Sequence, residues 1–287
     1  MHDIALDTPL GRIHALRSAA GGPSGIAPRV LALHGWLDNA ASFVPLSQHL
    51  HDVDLVAIDL PGHGRSAHLP PGADYSFAGA VNAVLDSADA LGWDEFALLG
   101  HSMGAGIGSL VAAACPQRIT RFVAIEALGA LAEVPERTVE RMRDAIAAAR
   151  ALPGKRLRVF PDIDMAVRAR MQSNGLSEPA ARLLAVRGVR AVQGGHTWSS
   201  DPQLTLPTMQ RMTEAQISNL VAGIACPTRV IFANPAQVYL PDALRRARVA
   251  LLPRGELIVL DGTHHLHMED PRAVAAAIGD FLLRQGD

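Results

Sequence analysis

The chain has 287 residues, of which 49% are hydrophobic and 19% are charged. This apolar content is enough to bury a large core, which excludes a chain that is disordered throughout. The formal net charge is −2, so the chain lacks the basic surface that binding to a phosphate backbone requires, and we expect no nucleic-acid partner.

Cysteine content and hydropathy limit the class of protein further. Cys115 and Cys226 are too few for a disulfide framework and too far apart for a metal knuckle. The N-terminal residues lack the positive and apolar regions of a secretion signal, and the apolar runs are shorter than the roughly 18 residues of a membrane span. We therefore expect a cytoplasmic protein without a membrane-spanning segment.

The sequence up to Ala127 alternates solid apolar runs with helical patterns. Apolar runs without alternation are typical of strands that helices cover on both faces, as in a parallel sheet. The predicted strands are 4–6, 12–16, 30–33, 55–58, 96–99 and 122–125, the predicted helices are 42–50, 77–91 and 103–115, and a Gly-, Pro- and Ser-rich stretch at 20–28 predicts an exposed loop. This order of elements predicts an α/β doubly wound domain.

The pattern changes after Ala127. Residues 128–222 show Arg-rich amphipathic helices and no convincing strand, whereas buried-strand patterns return at 228–232 and 256–260 before a final helix at 272–283. We therefore predict a core formed by residues 1–127 and 223–287, with a helical cap inserted at 128–222.

Residues 100–104, Gly-His-Ser-Met-Gly, fit the motif G-x-S-x-G. They follow a predicted strand directly and precede a predicted helix, which is the strand–turn–helix context that a nucleophile elbow requires. Side chains at Gly100 and Gly104 would collide with neighbouring backbone in such a turn. The motif predicts Ser102 as a nucleophile.

A serine nucleophile also needs donors for the oxyanion of its tetrahedral intermediate. One is the backbone N–H of the residue after the nucleophile, here Met103. The second should come from the loop after the first buried strand, where Gly35 allows close approach and Trp36 can offer its N–H. The indole of Trp36 can at the same time be a core aromatic, since only its backbone is used.

Three segments together carry a family resemblance: residues 30–36, 59–66 and 100–104 resemble the α/β-hydrolase superfamily. The sequences His-Gly-Trp-Leu-Asp-Asn at 34–39 and Gly-His-Ser at 100–102 are most similar to its serine hydrolase-like branch. The resemblance covers about 1–127 and 223–287, and it implies an α/β-hydrolase fold. Such a fold has a mostly parallel central sheet covered by helices, with an inserted helical lid.

The segment 261–271 resembles the family's Gly-x-His loop before a final helix, and Glu269 and Pro271 set its register so that His264 matches the catalytic histidine. A metal site made by His264, His265 and His267 is the rival interpretation. Metal pairs on helices favour i, i+4 spacing, and no nearby cysteine or acidic cluster completes a shell. We therefore expect no metal, and loop roles for His265 and His267.

The acid of the triad departs from the usual pattern. The family usually places it after the next-to-last strand, where this chain has Ala236 or Gln237, and neither can ionise. Glu126, which directly follows the apolar run 122–125, resembles the acid of a branch that includes certain haloalkane dehalogenases. A carboxylate at that strand tip lies at the same sheet edge as the nucleophile and can accept from His264. An exposed glutamate at the start of the cap is the alternative.

Apolar residues of the cap can line an acyl pocket or pack the cap against the core. A lid of this kind excludes water and shapes substrate choice. The candidates are Phe160, Met165, Met171, Trp198, Met209 and Met212.

The residues thus predict a serine hydrolase that cleaves a small-molecule carboxylic ester or thioester through an acyl-enzyme, with Ser102, His264 and Glu126 as triad and no cofactor. Dehalogenases and epoxide hydrolases of this fold use a carboxylate nucleophile, which Ser102 argues against. Other reactions of a serine triad, C–C hydrolysis and peroxidation, remain open. A non-catalytic small-molecule binding module is also open, because Ala236 leaves the usual acid position empty.

Overall fold

The computed structural model describes residues 1–18, 27–70, 72–152 and 158–283, so most of the predicted loop at 20–28 lies outside the described residues. The strands are β1 (His2–Thr8), β2 (Gly11–Arg17), β3 (Arg29–Leu33), β4 (Asp54–Ile58), β5 (Phe96–His101), β6 (Ile119–Ile125), β7 (Val189–Val192), β8 (Gly195–Trp198), β9 (Thr228–Asn234) and β10 (Gly255–Asp261). The helices are α1 (Val44–Ser47), α2 (Phe77–Ala90), α3 (Met103–Ala114), α4 (Thr138–Ala151), α5 (Ile163–Asn174), α6 (Glu178–Gly188), α7 (Glu214–Ala222), α8 (Asp242–Val249), α9 (Leu266–Glu269) and α10 (Pro271–Ile278). Within the described ranges, none of these helices combines the length and the apolar character needed to cross a membrane.

Eight strands form one sheet in the order β1-β2-β4-β3-β5-β6-β9-β10. Strands β1, β2 and β4 pair antiparallel, and every other pair in this sheet is parallel. The predicted α/β-hydrolase fold, with its mostly parallel sheet covered by helices, is therefore confirmed.

The inner strands of the sheet are buried on both faces, which explains their solid apolar runs. The expectation of a buried strand at 256–260 is wrong, because β10 lies at the edge of the sheet and is only partly covered. Along β3, Leu31 and Leu33 belong to the apolar cluster under α2 and α3, whereas Val30 and Ala32 belong to the cluster under α1 and α10. Successive side chains of a strand point to opposite faces, so a strand covered twice needs apolar residues at every position. Burial of one leucine contributes about 1.5 to 3 kcal/mol.

One predicted helix is shorter than expected. In place of a helix over 42–50, a 3-10 turn at Ala40–Phe43 leads into α1. Asn39 caps the turn by accepting from the N–H of Ala41. Pro45 has no N–H to donate, so it is tolerated only in the first turn of a helix, and the regular helix begins beside it.

The segment between β6 and β9 contains the four helices α4 to α7, but it also contains a strand pair, so the expectation of no strand there is wrong. Strands β7 and β8 pair antiparallel, with Val189 opposite Trp198. Gly194 lies in the turn between them at φ +85°, and Gly195, the first residue of β8, has φ +138°. Each strand has only four residues, too few for the alternation to stand out from the Arg-rich helical pattern around it. The cap boundaries at 128 and 222 stay a prediction.

A buried ion pair and a half-exposed one fasten this segment to the core. Arg187 of α6 places its guanidinium 2.9 Å from the carboxylate of Asp59 and 2.6 Å from that of Asp3. Asp59 also accepts from the backbone N–H groups of Ala40 and Arg65, so its charge is satisfied from several sides. Asp59 is thus a structural residue that fixes the loops below α6.

The turn between β7 and β8 gives a matched pair of variants. Gly194→Ala and Gly195→Ala both carry strain of about 1 to 3 kcal/mol, because both positions have positive φ. A methyl group at 195 would also overlap the carbonyl oxygen of Phe160, whereas one at 194 meets no atom within 4 Å. Denaturant unfolding should show a clearly larger loss for Gly195→Ala, and equal losses would contradict this account of the turn.

Candidate active site

Ser102 stands in the turn between β5 and α3, in the predicted strand–turn–helix context. Its backbone has φ 51° and ψ −114°, a region that residues other than glycine rarely adopt. The turn is tight because a Cβ at Gly100 would lie 2.5 Å from the Cα of Ala105, and one at Gly104 would overlap the carbonyl oxygen of Leu33. The glycines therefore permit the close approach of α3 to β3 that holds Ser102 in this conformation.

His264 lies between β10 and α9 and contacts the serine. Its Nε2 is 2.9 Å from Ser102 Oγ, and its Nδ1 is 2.9 Å from Glu126 Oε2. A carboxylate can only accept, so Nδ1 carries the proton and Nε2 presents a lone pair to the hydroxyl. The His264 side chain is 23% exposed, which leaves the pair accessible from solvent.

Glu126 directly follows β6 and is fully buried, which contradicts the alternative of an exposed glutamate. Its backbone has φ 62°, and its N–H donates to the carbonyl of Ile231 at 2.9 Å. Oε1 accepts from the N–H of Ala233 at 2.5 Å, while Oε2 faces His264. The carboxylate is thus held by the neighbouring strand β9 and turned towards the histidine.

Arg245 is a second partner of this carboxylate that the sequence analysis missed. It is fully buried on α8, and its Nη2 lies 3.6 Å from Glu126 Oε1. The same guanidinium donates to the carbonyl oxygens of Leu240 and Ala233 and lies over the ring of Phe232. A buried carboxylate needs such a counter-charge, because desolvation disfavours its ionised form.

The loop after β9 offers no ionisable side chain at Ala236 or Gln237, as the sequence indicated. The next carboxylate along the chain, Asp242, is the first residue of α8. Its exposed carboxylate pairs with Arg246 at 2.7 Å. The usual acid position is therefore empty, and Glu126 takes the contact with the histidine.

The two predicted oxyanion donors follow neighbouring strands, since β3 pairs with β5. Met103 is the first residue of α3, where backbone N–H groups have no partner inside the helix. The indole of Trp36 is 54% exposed, and its Nε1 donates to the carbonyl of Leu204 at 2.9 Å. The interpretation of Trp36 as a core aromatic is wrong, whereas the oxyanion role of both backbone N–H groups stays a prediction.

A cluster of buried histidines lies behind the triad. The rings of His101 and His267 are 4.0 Å apart between centroids, and His265 bonds Asp38 at 3.0 Å. His265 lies in the loop before α9, as expected, whereas the loop expectation for His267 is wrong because it lies in α9; both side chains are buried. Asp38, His101 and His265 present ligand atoms within 4.8 Å of one another. Arg170 already pairs with Asp38 at 2.7 Å, and its charge opposes a second cation. The group fits an ion-pair network better than a metal centre.

Burial sets the protonation of these histidines. It lowers the pKa of His34 to about 4 and the pKa values of His63 and His267 to about 3. Burial also lowers the pKa of His101 well below its usual value, and the neighbouring histidines add to this effect. All four side chains are therefore neutral at pH 7.

The predicted pocket residues occupy different places. Phe160 is buried, meets Trp198 edge-to-face at 5.0 Å between centroids, and packs with Met165 in a cluster of the cap helices. Met209 is 40% exposed. Met171 packs in the same cluster as Phe160, and Met212 packs against the core cluster under α2 and α3. These positions favour the packing interpretation for every candidate except Met209, and a role in an acyl pocket stays a prediction for all six. Tyr239, which sequence analysis did not single out, places its ring 6.4 Å from the ring of His264.

Comparison with known proteins assigns the chain to a family. The family whose description is α/β-hydrolase fold matches residues 28–271. A serine hydrolase-like protein of Danio rerio is 31% identical over 280 residues, which cover 94% of this chain and 86% of that protein. A serine hydrolase-like protein of Dictyostelium discoideum is 28% identical, with 95% of this chain and 79% of that protein covered.

Solved structures give the same result. A hypothetical protein of Pseudomonas aeruginosa PAO1 has a TM-score of 0.92 and 38% identity, with 99% of this chain and 100% of that chain covered. The thioesterase domain of the curacin biosynthetic pathway has a TM-score of 0.83 at 24% identity, with 99% of both chains covered, and shows the shared fold. The family and the names of the relatives support hydrolase activity.

Adjacent arginines of α8 allow a matched test of the buried counter-charge. Arg245→Met should cost about 3 to 5 kcal/mol of unfolding free energy, because it leaves Glu126 buried without its cation. Arg246→Met removes only an exposed pair with Asp242 and should cost less than about 1 kcal/mol. Denaturant unfolding at pH 7 measures both, and similar losses would show that Arg245 is not coupled to the carboxylate.

Buried neutral histidines should make the protein acid-sensitive. Their pKa values are lower in the folded than in the unfolded state, so the unfolded chain binds more protons as pH falls. The stabilisation is complete above about pH 6.5 and is lost towards pH 4, by up to about 1.4 kcal/mol per pH unit for each histidine. Urea unfolding between pH 7.5 and 4.5 measures the slope.

His267 isolates one contribution to that slope. Both of its ring nitrogens lack a hydrogen-bond partner within the described part of the chain. His267→Leu should therefore flatten the pH dependence by about one proton, whereas His51→Leu, at an exposed position, should leave it unchanged. An unchanged slope in the His267 variant would contradict the assignment.

Proposed function

The chain belongs to the α/β-hydrolase family, and we propose that it is a serine hydrolase that cleaves a carboxylic ester or thioester of a small molecule through an acyl-enzyme. The observation that carries the proposal is the unbroken chain of hydrogen bonds from Ser102 Oγ through His264 to Glu126, at 2.9 Å for each bond. A hydroxyl is a weak nucleophile at neutral pH, and this arrangement supplies the base that activates it.

In the first half of the reaction, Ser102 Oγ attacks the acyl carbon while His264 Nε2 takes its proton. Glu126 stabilises the imidazolium that forms and holds the ring in the correct tautomer. The backbone N–H groups of Trp36 and Met103 bind the oxyanion of the tetrahedral intermediate. His264 then gives the proton to the leaving alcohol or thiol, and the acyl group stays on Ser102.

The second half repeats these steps with water. His264 takes a proton from the water that attacks the acyl-enzyme, and it returns that proton to Ser102 as the acid product leaves. Every proton moves among Ser102, His264, water and the substrate, so the proposed reaction needs no cofactor. The cap over residues 128–222 would limit the access of water and select the acyl group.

The rival functions differ in how they account for Ser102. Enzymes of this fold with a carboxylate nucleophile form an alkyl ester between that carboxylate and the substrate. A serine cannot take the place of the carboxylate in that chemistry. A binding module was suggested by the empty acid position at Ala236, and the contact of Glu126 with His264 removes that reason. C–C hydrolysis and peroxidation would use the same three residues, so only substrate panels separate them.

Turnover of p-nitrophenyl esters from acetyl to palmitoyl tests the proposal. Ser102→Ala should abolish turnover without unfolding the protein, because it removes the nucleophile. Glu126→Gln should lower kcat by about 10⁴-fold, since an amide cannot hold the histidine in the tautomer that accepts the serine proton. Circular dichroism checks that both variants are folded.

Asp242→Asn is the matched control, because Asp242 is the carboxylate that follows the strand where the acid usually stands. It should keep wild-type kcat. Loss of activity in Asp242→Asn but not in Glu126→Gln would assign the acid to α8 instead. Failure of a fluorophosphonate to label wild-type Ser102 would contradict a serine hydrolase altogether.

A further inference from the structure

Asp38 is a buried carboxylate with no part in the triad, and it sits in the loop that offers Trp36. Its side chain is 1% exposed. Oδ1 accepts from Arg170 of α5 at 2.7 Å, and Oδ2 accepts from Nε2 of His265 at 3.0 Å. Burial alone would raise the pKa of Asp38, but the hydrogen bond from His265 and the charge of Arg170 keep that pKa well below its usual value. The carboxylate of Asp38 is therefore ionised at neutral pH, and it contacts both the cap and the loop of His264.

The same contacts reach the segments that carry the proposed catalytic groups. Arg170 donates to the carbonyl oxygen of Leu37, next to Asp38, and Leu37 has a positive φ of 57°. His265 is the neighbour of the catalytic base. The carboxylate of Asp38, in the loop of Trp36, is thus bound by Arg170 of the cap and by His265 in the loop of His264.

His101 completes the connection from the nucleophile elbow. It precedes Ser102, is buried, and donates from Nε2 to the carbonyl oxygen of His264 at 2.8 Å. Its Nδ1 faces Asp38 Oδ2 at 3.9 Å, and Gly35 packs on both, since a Cβ there would lie 2.9 Å from Nδ1 and 3.1 Å from the carboxylate. His101 therefore ties the nucleophile segment to the loop of His264 by a hydrogen bond, and it reaches Asp38 by packing, without a hydrogen bond to the carboxylate.

We propose that Asp38 is a positioning residue, through which Arg170 of the cap holds the loops of Trp36 and His264 in the geometry of the transition state. The inference rests on the proposed serine hydrolase activity. The arrangement costs desolvation of two charges, which well-packed apolar residues would avoid. In return, the arrangement fixes the orientation of two segments, because each carboxylate oxygen binds a donor on a different segment.

This role predicts an effect on kcat rather than on substrate binding. Asp38 touches neither Ser102 nor a group proposed to contact the acyl chain, so KM should change little. A displacement of about 1 Å in a donor or base lowers the rate by about 100-fold. Asp38→Asn keeps the shape of the side chain but leaves Arg170 without its counter-charge, so it releases the cap side of the network.

The test compares Asp38→Asn, Arg170→Met and the double variant with wild type. Each protein is titrated to completion with a fluorophosphonate, so that kcat for a p-nitrophenyl ester is expressed per reactive Ser102. Both single variants should lower kcat by about 100-fold with KM within about threefold. The double variant should lose no more than either single one, because the two residues act as a unit. Arg170→Lys should restore part of the loss.

A partly buried pair elsewhere in the sheet controls for destabilisation. Asp54 accepts two hydrogen bonds from Arg17, at 2.8 and 2.6 Å, at the opposite end of β4 from the active site. Asp54→Asn should lower the melting temperature while kcat per titrated site stays at the wild-type value. If Asp38→Asn behaves in the same way, Asp38 is only structural and the inference is wrong. If wild type is neither labelled nor active, the proposed function fails, and the positioning role fails with it.

Discussion

The buried negative charge of Glu126 is the constraint around which the active-site end of the molecule is built. An ionised carboxylate without water is costly, so each lone pair must find a donor or a cation. The N–H of Ala233, the imidazole of His264 and the guanidinium of Arg245 meet this need from three different elements. The position of β9, of α8 and of the histidine loop is thereby set by one side chain at the tip of β6.

The parallel sheet explains why such distant residues meet. Carboxyl ends of parallel strands lie at one edge, and the segments with Trp36, Ser102, Glu126 and His264 each follow a strand at that edge. Core packing on both faces supplies the free energy that holds Ser102 in a strained conformation. The charge of Glu126 and the strain at Ser102 are thus both maintained by a scaffold whose stability lies elsewhere.

Local chemistry decided what could be predicted from the sequence. Parallel strands were recognisable because burial on two faces leaves continuous apolar runs, and Ser102 because its glycines have a steric reason. Glu126 was inferred from its strand tip and from the vacancy at Ala236. The ion pairs of Arg245 with Glu126 and of Arg170 with Asp38 were not inferred, since an arginine in a helical pattern is indistinguishable from a solvated one until its partner, more than a hundred residues away, is known.

Because the proposed acid follows β6, the usual position for it after β9 does not have to supply a carboxylate. The loop between β9 and α8 carries no group of the proposed reaction, yet Tyr239 stands beside the ring of His264 and Val238 is 97% exposed. Leu240 of this loop accepts from Arg245, the counter-charge of Glu126, so the backbone of the loop has to stay in place. Exchanges of the Val238 and Tyr239 side chains would change the surface beside His264 and leave that contact intact. Under the proposed function, these two side chains are therefore the positions at which to engineer new substrate preferences.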